Sequence, residues 1–365
     1  MKKISLQEAL EGIEDTRRKR SVMYELSEVL IIMLLAIICG ATSYAKIEMF
    51  GKSKETWLRK FLRLENGIPD ACTTRDIIRQ IDAEKLHKVF ADWMKSVAQN
   101  LFGVVAIDGK EARRTKDENK RPLHVVSAFS HSFGLVLGQV ACSEKSNEIT
   151  AVPKLLELLE IEGCIVTIDA MGCQKDIAEN ITKAGADYCL GLKGNQNSLH
   201  DDVKLYFEHM SVDEKAITKE KGHGRIETRE YFLETNIDWL EQKPLWAGLN
   251  AIGMVKSRVI ERDVCREETR YFITSLTSVE TFARAVRGHW CIENNLHWCL
   301  DVAFREDESR ARKDNSAENL NVFRQMAFNI LKSEGSLKGS FTDKQFMCLL
   351  DERLLEKVIL NWICS

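Results

Sequence analysis

The feature that most constrains the fold is a series of short apolar runs between residues 104 and 193. Three of them are β-branched and separated by polar or glycine-containing turns, which predicts three consecutive strands: VVAID (104–108), LHVVSAFS (123–130) and LVLGQVACS (135–143). A helix capped by Asn147 and ending at Leu159 should follow, then a strand (165–169), a helix (174–184) and a strand (188–193). The last two strands arrive through helical crossovers, so they should lie parallel to the strands they join, in a mixed α/β sheet.

The segments on either side of this core have different patterns. Apolar residues at spacings of three and four predict helices over 5–20, 26–45 and 83–99. Runs at 225–234, 251–260 and 269–276 predict strands, and helical periodicity returns at Val279. We therefore divide the chain into a helical N-terminal domain (1–100), the first part of an α/β core (101–210), a β-rich insertion (211–277) and a C-terminal helical part of the core (278–365).

Composition excludes several classes of protein. Apolar residues at 44% and charged residues at 29% are ordinary for a globular protein, which excludes disordered and fibrous chains. The net charge of -3 argues against a surface that is basic throughout but allows local basic patches. Eleven cysteines without a Cys-x-x-Cys pair predict reduced thiols in the cytoplasm. The apolar run from Val29 to Ala41 is shorter than the roughly 20 residues of a bilayer span, so we expect a buried helix and no membrane association.

Two of the buried strands end in the same way, with an aspartate and then a small residue. These are Asp108 before Gly109 and Asp169 before Ala170. A single aspartate at a strand end is usually a turn former or a helix cap, but ligands collect at the carboxyl ends of strands in open α/β sheets. Two carboxylates placed together repel unless a cation separates them, and Asp oxygens suit Mg²⁺. The pair therefore predicts a metal site.

A third ligand should come from the helix predicted over residues 284–301. Glu293, His297 and Asp301 are four residues apart and would share one face of it. The alternatives are an ordinary helix beside a tryptophan core, or a zinc site, for which no HExxH pattern is present. Basic and hydrogen-bonding residues flank each acid and predict a polyanionic substrate: Lys110, Arg113, Arg114, Lys193, Asn195, Gln196, His223, Arg225, Arg287 and His289. The basic segment 52–63 is either a solvated helix face or a DNA-backbone contact.

Long segments of the chain closely resemble the insertion-sequence transposases of the H-repeat-associated, or ISAs, type. They include AIDGKEARR (106–114), DYCLGLKGNQ (187–196), HGRIETR (223–229) and RGHWCIENNLHWCLD (287–301), and residues 51–70 are similar to that family's associated domain. The resemblance implies a ribonuclease-H-like mixed-sheet core, a β-rich insertion and a DDE triad. Carried over by position, the triad is Asp108, Asp169 and Glu293, with His297 and Asp301 supporting it.

The resemblance also implies an activity and partners. We expect metal-dependent cleavage and strand transfer at transposon ends, with a two-ion Mg²⁺ or Mn²⁺ site, on double-stranded DNA of terminal repeats and target. A dimer or larger assembly on DNA at the bacterial nucleoid is expected. Related enzymes carry Tyr, Arg and Lys around the Glu, where this chain has Val286, His289 and Leu300. The alternatives are a nuclease that does not transpose and a catalytically silent DNA-binding protein.

Overall fold

The computed structural model describes residues 4–17, 22–116, 121–142, 148–212, 214–222, 224–261 and 264–363. Its N-terminal part is helical, although the first helix ends at Glu11 and does not continue to residue 20 as predicted: α1 (Leu6–Glu11), α2 (Leu26–Ile38), α3 (Tyr44–Leu58), α4 (Ala71–Ile78) and α5 (Ala83–Val97). Side chains cap four of these helices, because Ser5, Ser43, Asp70 and Asp82 each accept a hydrogen bond from a backbone N–H of the first turn. The basic segment 52–63 lies mostly within α3.

The apolar run that includes Val29 forms a core helix, as predicted. Every residue of α2 is buried except Ser27 and Glu28. The helix ends at Ile38, earlier than the sequence pattern indicated, because Gly40 adopts a positive φ of 84° and turns the chain. Among the described residues, none of the helices combines the length and the apolar character needed to cross a membrane.

The central sheet has nine strands in the order β3-β2-β1-β4-β5-β9-β8-β7-β6. Their bounds are β1 (Gly103–Ala112), β2 (Leu123–Ser130), β3 (Leu135–Cys142), β4 (Cys164–Ile168), β5 (Asp187–Leu192), β6 (Lys215–Gly222), β7 (Arg225–Glu234), β8 (Ala251–Glu261) and β9 (Val264–Thr274). The first three strands are antiparallel, and β4 and β5 run parallel to β1. This mixed sheet with its helical crossovers is the ribonuclease-H-like arrangement, and the fold prediction is confirmed.

The strands of the insertion extend the core sheet. β9 pairs with β5 in the antiparallel sense, and β8, β7 and β6 follow as antiparallel neighbours. The predicted strands correspond to β7, β8 and β9, while β6 was not predicted because its sequence, KAITKEKG, is polar and mostly exposed. The structure therefore connects the insertion to the core by continuous backbone hydrogen bonding. The domain boundaries at 100, 210 and 277 remain predictions.

Helices cover the sheet and link it to the N-terminal part. Their bounds are α6 (Glu148–Glu157), α7 (Lys175–Lys183), α8 (Asn197–His209), α9 (Val279–Cys291), α10 (Trp298–Val302), α11 (Ser316–Ser333), α12 (Phe341–Leu350) and α13 (Glu352–Ile363). The predicted cap of α6, Asn147, lies outside the described residues. Helix α11 is buried along most of its length and shares one hydrophobic cluster with α2, α5 and part of the sheet, in which the rings of Phe328 and Phe129 lie 6.3 Å apart.

Candidate active site

The two predicted aspartates lie where the parallel ladder between β1 and β4 ends. Ile107 of β1 and Ile168 of β4 are the last partners in that ladder. Asp169 directly follows β4, whereas Asp108 lies within β1, which continues to Ala112 and does not end at the aspartate as predicted. Oδ1 of Asp108 accepts a hydrogen bond from the backbone N–H of Gly109 at 2.9 Å. Oδ1 of Asp169 accepts one from the N–H of Met171 at 3.0 Å, which caps the short turn after β4. The parallel register therefore brings both acids to one edge of the sheet.

The surroundings of Asp108 oppose its negative charge. Burial raises the pKa of this carboxyl to about 7, and the charges of Asp169 and Glu293 act in the same direction. The backbone N–H of Gly109 opposes the shift. Glu293 is exposed, but its charge is close enough to raise the pKa of Asp108. The three acids that sequence reasoning selected are therefore electrostatic neighbours.

The helix that carries Glu293 is interrupted by a π-helical segment, Ile292–His297. The backbone N–H of Trp298 donates to the carbonyl of Glu293, five residues earlier, instead of four. Upstream, Gly288 allows α9 to approach β1, because a Cβ there would lie 3.0 Å from Val104. The predicted α-helical spacing of four therefore does not hold through this segment, although the chain still passes beside the two aspartates.

His297 contacts Asp108 from this segment. Its Nδ1 lies 3.6 Å from Oδ2 of Asp108. Burial lowers the pKa of the ring to about 3, with Lys110 acting in the same direction, so His297 is neutral at pH 7. Its Nε2 is buried and has no hydrogen-bond partner within the described part of the chain. The side chain of His297 therefore lies beside Asp108, and its supporting role remains a prediction.

Lys110 is enclosed by acids and is not a free cation. Its Nζ lies 2.7 Å from Asp301, 2.9 Å from Glu306 and 3.8 Å from Asp307. Burial opposes the ammonium charge, but Glu306 and Asp301 outweigh it and the pKa of Lys110 is raised. We expected Lys110 to contact phosphate. In the structure, neighbouring acids neutralise its charge inside the protein instead. These ion pairs hold the segment after α10 against β1.

The other predicted DNA contacts lie in different environments. Arg113 and Lys193 are exposed, and the backbone carbonyl of Arg114 accepts a hydrogen bond from Nε of Arg312 at 3.1 Å. The amides of Asn195 and Gln196 donate to carbonyl oxygens of residues 170 and 173, at 2.7 Å and 3.0 Å. These two bonds tie the loop after β5 to the loop after β4, so both amides position backbone in this structure.

The remaining basic candidates are engaged with protein partners or lie outside the described residues. Arg225 and Arg287 form ion pairs with Glu227 and Glu220, and His223 falls outside the described residues. Nδ1 of His289 lies 3.1 Å from Oγ1 of Thr167 in β4, and burial lowers the pKa of its ring. The sequence analysis placed His289 among the contacts to a polyanionic substrate, whereas in the structure its ring contacts β4 and burial disfavours its charged form.

Sequence reasoning missed a buried pair beside Asp108. Nε2 of His124 in β2 and Oε1 of Glu148 at the start of α6 form a short hydrogen bond, and both side chains are buried. Gly109 makes room for them, because a Cβ at that position would lie 2.7 Å from Nε2 of His124 and would collide with Glu148. An acid in the first turn of a helix usually interacts with the helix dipole, so the sequence did not distinguish Glu148 from an ordinary N-terminal residue.

Side chains of the insertion contact the helix that precedes Glu293. The guanidinium groups of Arg229 from β7 and Arg270 from β9 lie 5.0 Å and 4.9 Å from the ring centre of Trp290. Nη2 of Arg287 donates a hydrogen bond to Oε2 of Glu220 in β6 at 2.6 Å. These contacts fix α9 against the added strands, and sequence reasoning did not predict them since the partners are at least twenty residues apart.

The three acids do not by themselves form a complete set of metal ligands in this structure. Within the residues that the structure describes, no group of three or more His, Cys, Asp and Glu side chains lies close enough together to hold a metal ion. The geometry provides two acids where the ladder between β1 and β4 ends, a third acid whose charge acts on Asp108, and a neutral histidine. Carboxylate oxygens of this kind are ligands for hard divalent cations.

The sequence matches known protein families. Residues 99–330 match the family described as the transposase DDE domain. The chain belongs to the DDE transposase family. Residues 7–94 match the family described as DDE_Tnp_1-associated. This DDE transposase is 38% identical to YncI of Escherichia coli O157:H7, over 99% of this chain and 95% of that protein. It is 36% identical to the H repeat-associated YhhI of Escherichia coli strain K12, over 97% of each chain.

One solved structure also aligns with the transposase fold. It is the cryo-EM structure of a piggyBac transposase synaptic complex with hairpin DNA, with a TM-score of 0.46 and 10% identity over 99% of this chain and 78% of that chain. The resemblance to H-repeat-associated transposases drawn from the sequence motifs is confirmed by the family match and by YhhI.

Proposed function

We propose that this protein cleaves transposon ends and joins them to target DNA, with Asp108, Asp169 and Glu293 as the catalytic acids. The observation that carries the proposal is the pairing of Ile107 with Ile168, after which two acids emerge side by side. Burial raises the pKa of Asp108 to about 7, and the charges of Asp169 and Glu293 act in the same direction. A concentration of negative charge in this position is costly unless cations bind there.

The donor set has the chemistry that hard divalent cations require. All three groups are carboxylates, and the repulsion that raises the pKa of Asp108 is what a cation would offset. Asp108, Asp169 and Glu293 would hold two Mg²⁺ or Mn²⁺ ions, which when bound lower the pKa of an attacking water or 3′-hydroxyl and stabilise the leaving oxygen.

The neighbouring side chains have positioning roles in this proposal. Asp301 and Glu306 anchor Lys110, and this fixes the strand that carries Asp108 relative to the helix that carries Glu293. His297 is neutral and therefore leaves the negative charge of the site for cations. Arg113 and Lys193, both exposed, are the predicted contacts best placed to meet the phosphates of double-stranded DNA.

The test uses Asp108→Asn, which removes one ligand charge with little change of shape. Asp201→Asn, on the exposed face of α8, is the matched control. We expect Asp108→Asn to bind DNA from the ends of the insertion sequence in a band-shift assay but to lose Mg²⁺-dependent cleavage, while Asp201→Asn cuts like the wild type. Nicking by Asp108→Asn at the wild-type rate would show that the acids are wrongly assigned.

The two alternative functions give different products. A nuclease that does not transpose would break the plasmid without joining ends in an integration assay with wild-type protein. A catalytically silent DNA-binding protein would give band shifts and no metal-dependent breaks. Joined products that disappear in Asp108→Asn support the transposase, and a dimer or larger species on paired ends is expected in the same reaction.

A further inference from the structure

A second site lies away from the catalytic acids, between α2 and α3 and the segment that leads into α11. It is a cavity of about 340 Å³, which is within the size range of small-ligand sites. Five cations line it, and none of its described lining residues is acidic: Arg75, Arg310, Arg312, Lys313 and Arg324. Apolar side chains of Ile37, Ile47 and Leu320 also line it.

Arg324 is the feature that points to a ligand. It is 6% exposed, and its guanidinium has no hydrogen bond or ion pair with the side chain of another described residue. Burial lowers the pKa of the guanidinium, and the charge of Glu306 opposes that shift. Glu306 is already engaged by Lys110 at 2.9 Å, so it does not serve as a direct partner. A buried charge without a partner is costly, and an anion in the cavity would supply one.

The mouth of the cavity is also positively charged. The side chains of Arg310 and Lys313 are exposed and make no hydrogen bond or ion pair with other described residues. The hydroxyls of Ser43, Tyr44 and Ser316 line the same space and can donate to phosphate oxygens. A guanidinium matches the oxygens of a phosphate in a bidentate geometry, which a small spherical anion does not use.

We propose that this cavity binds a nucleotide, with its phosphate on Arg324 and its base against the apolar wall. The cavity is larger than a phosphate alone requires, and its cationic and apolar walls face the two chemically different ends of a nucleotide. The nucleotide comes either from a DNA strand or from solution. Nε of Arg312 donates to the carbonyl of Arg114, six residues after Asp108, so the site adjoins the strand of the catalytic acids.

The experiment measures binding to the full chain by titration calorimetry, in EDTA and at constant ionic strength. The probes are deoxyadenosine monophosphate, inorganic phosphate and a five-nucleotide single strand. We expect the wild type to bind the monophosphate or the strand, and Arg324→Met to weaken that binding by about tenfold or more, as loss of a charged hydrogen-bond partner does. The matched control is Arg305→Gln, which removes a positive charge from an exposed side chain that does not line the cavity.

The outcomes separate the two sources and test the site. Binding of the strand alone identifies DNA as the source, and binding of the monophosphate identifies a free nucleotide. Equal affinity for inorganic phosphate and the monophosphate would overturn the nucleotide assignment. Absence of binding by the wild type, or undiminished binding by Arg324→Met, would overturn the site.

A further variant keeps the test decisive. Arg310→Gln at the exposed mouth should weaken binding severalfold without disturbing the fold, and unchanged affinity in this variant would contradict the proposal even if Arg324→Met fails to fold. Binding is measured in EDTA, where metal-dependent cleavage does not take place, so failure of the catalytic proposal is distinguishable from failure of this one.

Discussion

The charge of Asp108 should destabilise the metal-free protein at neutral and alkaline pH. Its pKa rises from 3.8 to about 7 on folding. Because the folded state holds this proton more tightly than the unfolded chain, Asp108 lowers the free energy of unfolding as pH rises between about 4 and 7. At 1.36 kcal/mol per pKa unit, a shift of about 3 units corresponds to a cost of about 4 kcal/mol above pH 7.

Asp108→Asn removes this cost while Oδ1 can still accept the hydrogen bond from Gly109. In urea unfolding with EDTA, the variant should exceed the wild type in stability at pH 8, and its advantage should be smaller at pH 5 by about 2 to 3 kcal/mol. Asp201→Asn should change little between the two pH values. Mn²⁺ should stabilise the wild type at pH 8 more than it stabilises Asp108→Asn.

The result that would refute this reasoning is an Asp108→Asn advantage that does not grow with pH. A variant that is less stable than the wild type at pH 8 in EDTA would refute it as well. Either outcome would mean that the carboxylate of Asp108 is stabilised within the fold, and that Asp169 and Glu293 are not close enough to oppose it.

Two further substitutions test the surroundings of the site by urea unfolding at pH 7. Lys110→Met leaves Glu306, which is 1% exposed, without its cation, and should cost about 3 to 5 kcal/mol of stability. Gly109→Ala places a Cβ against Glu148, and should cost about 1 to 3 kcal/mol because a well-packed region must move.

Each of these changes has a matched control. Arg113→Gln removes the same charge from an exposed side chain three residues further along the chain, and should change stability little, so an equal loss in both variants would contradict the role of Lys110. Gly222→Ala adds a Cβ with nothing within 4 Å. A Gly109→Ala variant as stable as Gly222→Ala would show that His124 and Glu148 move aside freely.

The strands were predictable where local sequence and local structure agree. LHVVSAFS and RIETREYFLE form strands with the predicted bounds, since β-branched and aromatic residues suit a half-buried pleated surface. β6 was missed because its own side chains do not favour a strand, and its ladder with β7 is what forms it. The insertion and the core form one sheet because β5 pairs with β9. The local sequence of either strand does not predict this pairing.

The candidate site was predictable to the same extent. Adjacent parallel strands bring their ends together, so two apolar runs that end in aspartate predicted the proximity of Asp108 and Asp169. The contacts of Glu148 with His124, and of Trp290 with two arginines, depend on tertiary packing across distant segments. Net charge did not reveal that Lys110 is surrounded by acids.

In the π-helical segment, the number of residues is itself constrained by the structure. Residues 292–297 hold one more amino acid per turn than an α-helix accommodates. Deleting one of them would restore the ordinary pitch and rotate everything downstream by about 100° about the axis. Asp301 would then swing away from Lys110, even if every remaining residue were unchanged. In this stretch an insertion or deletion should therefore be tolerated less well than a substitution.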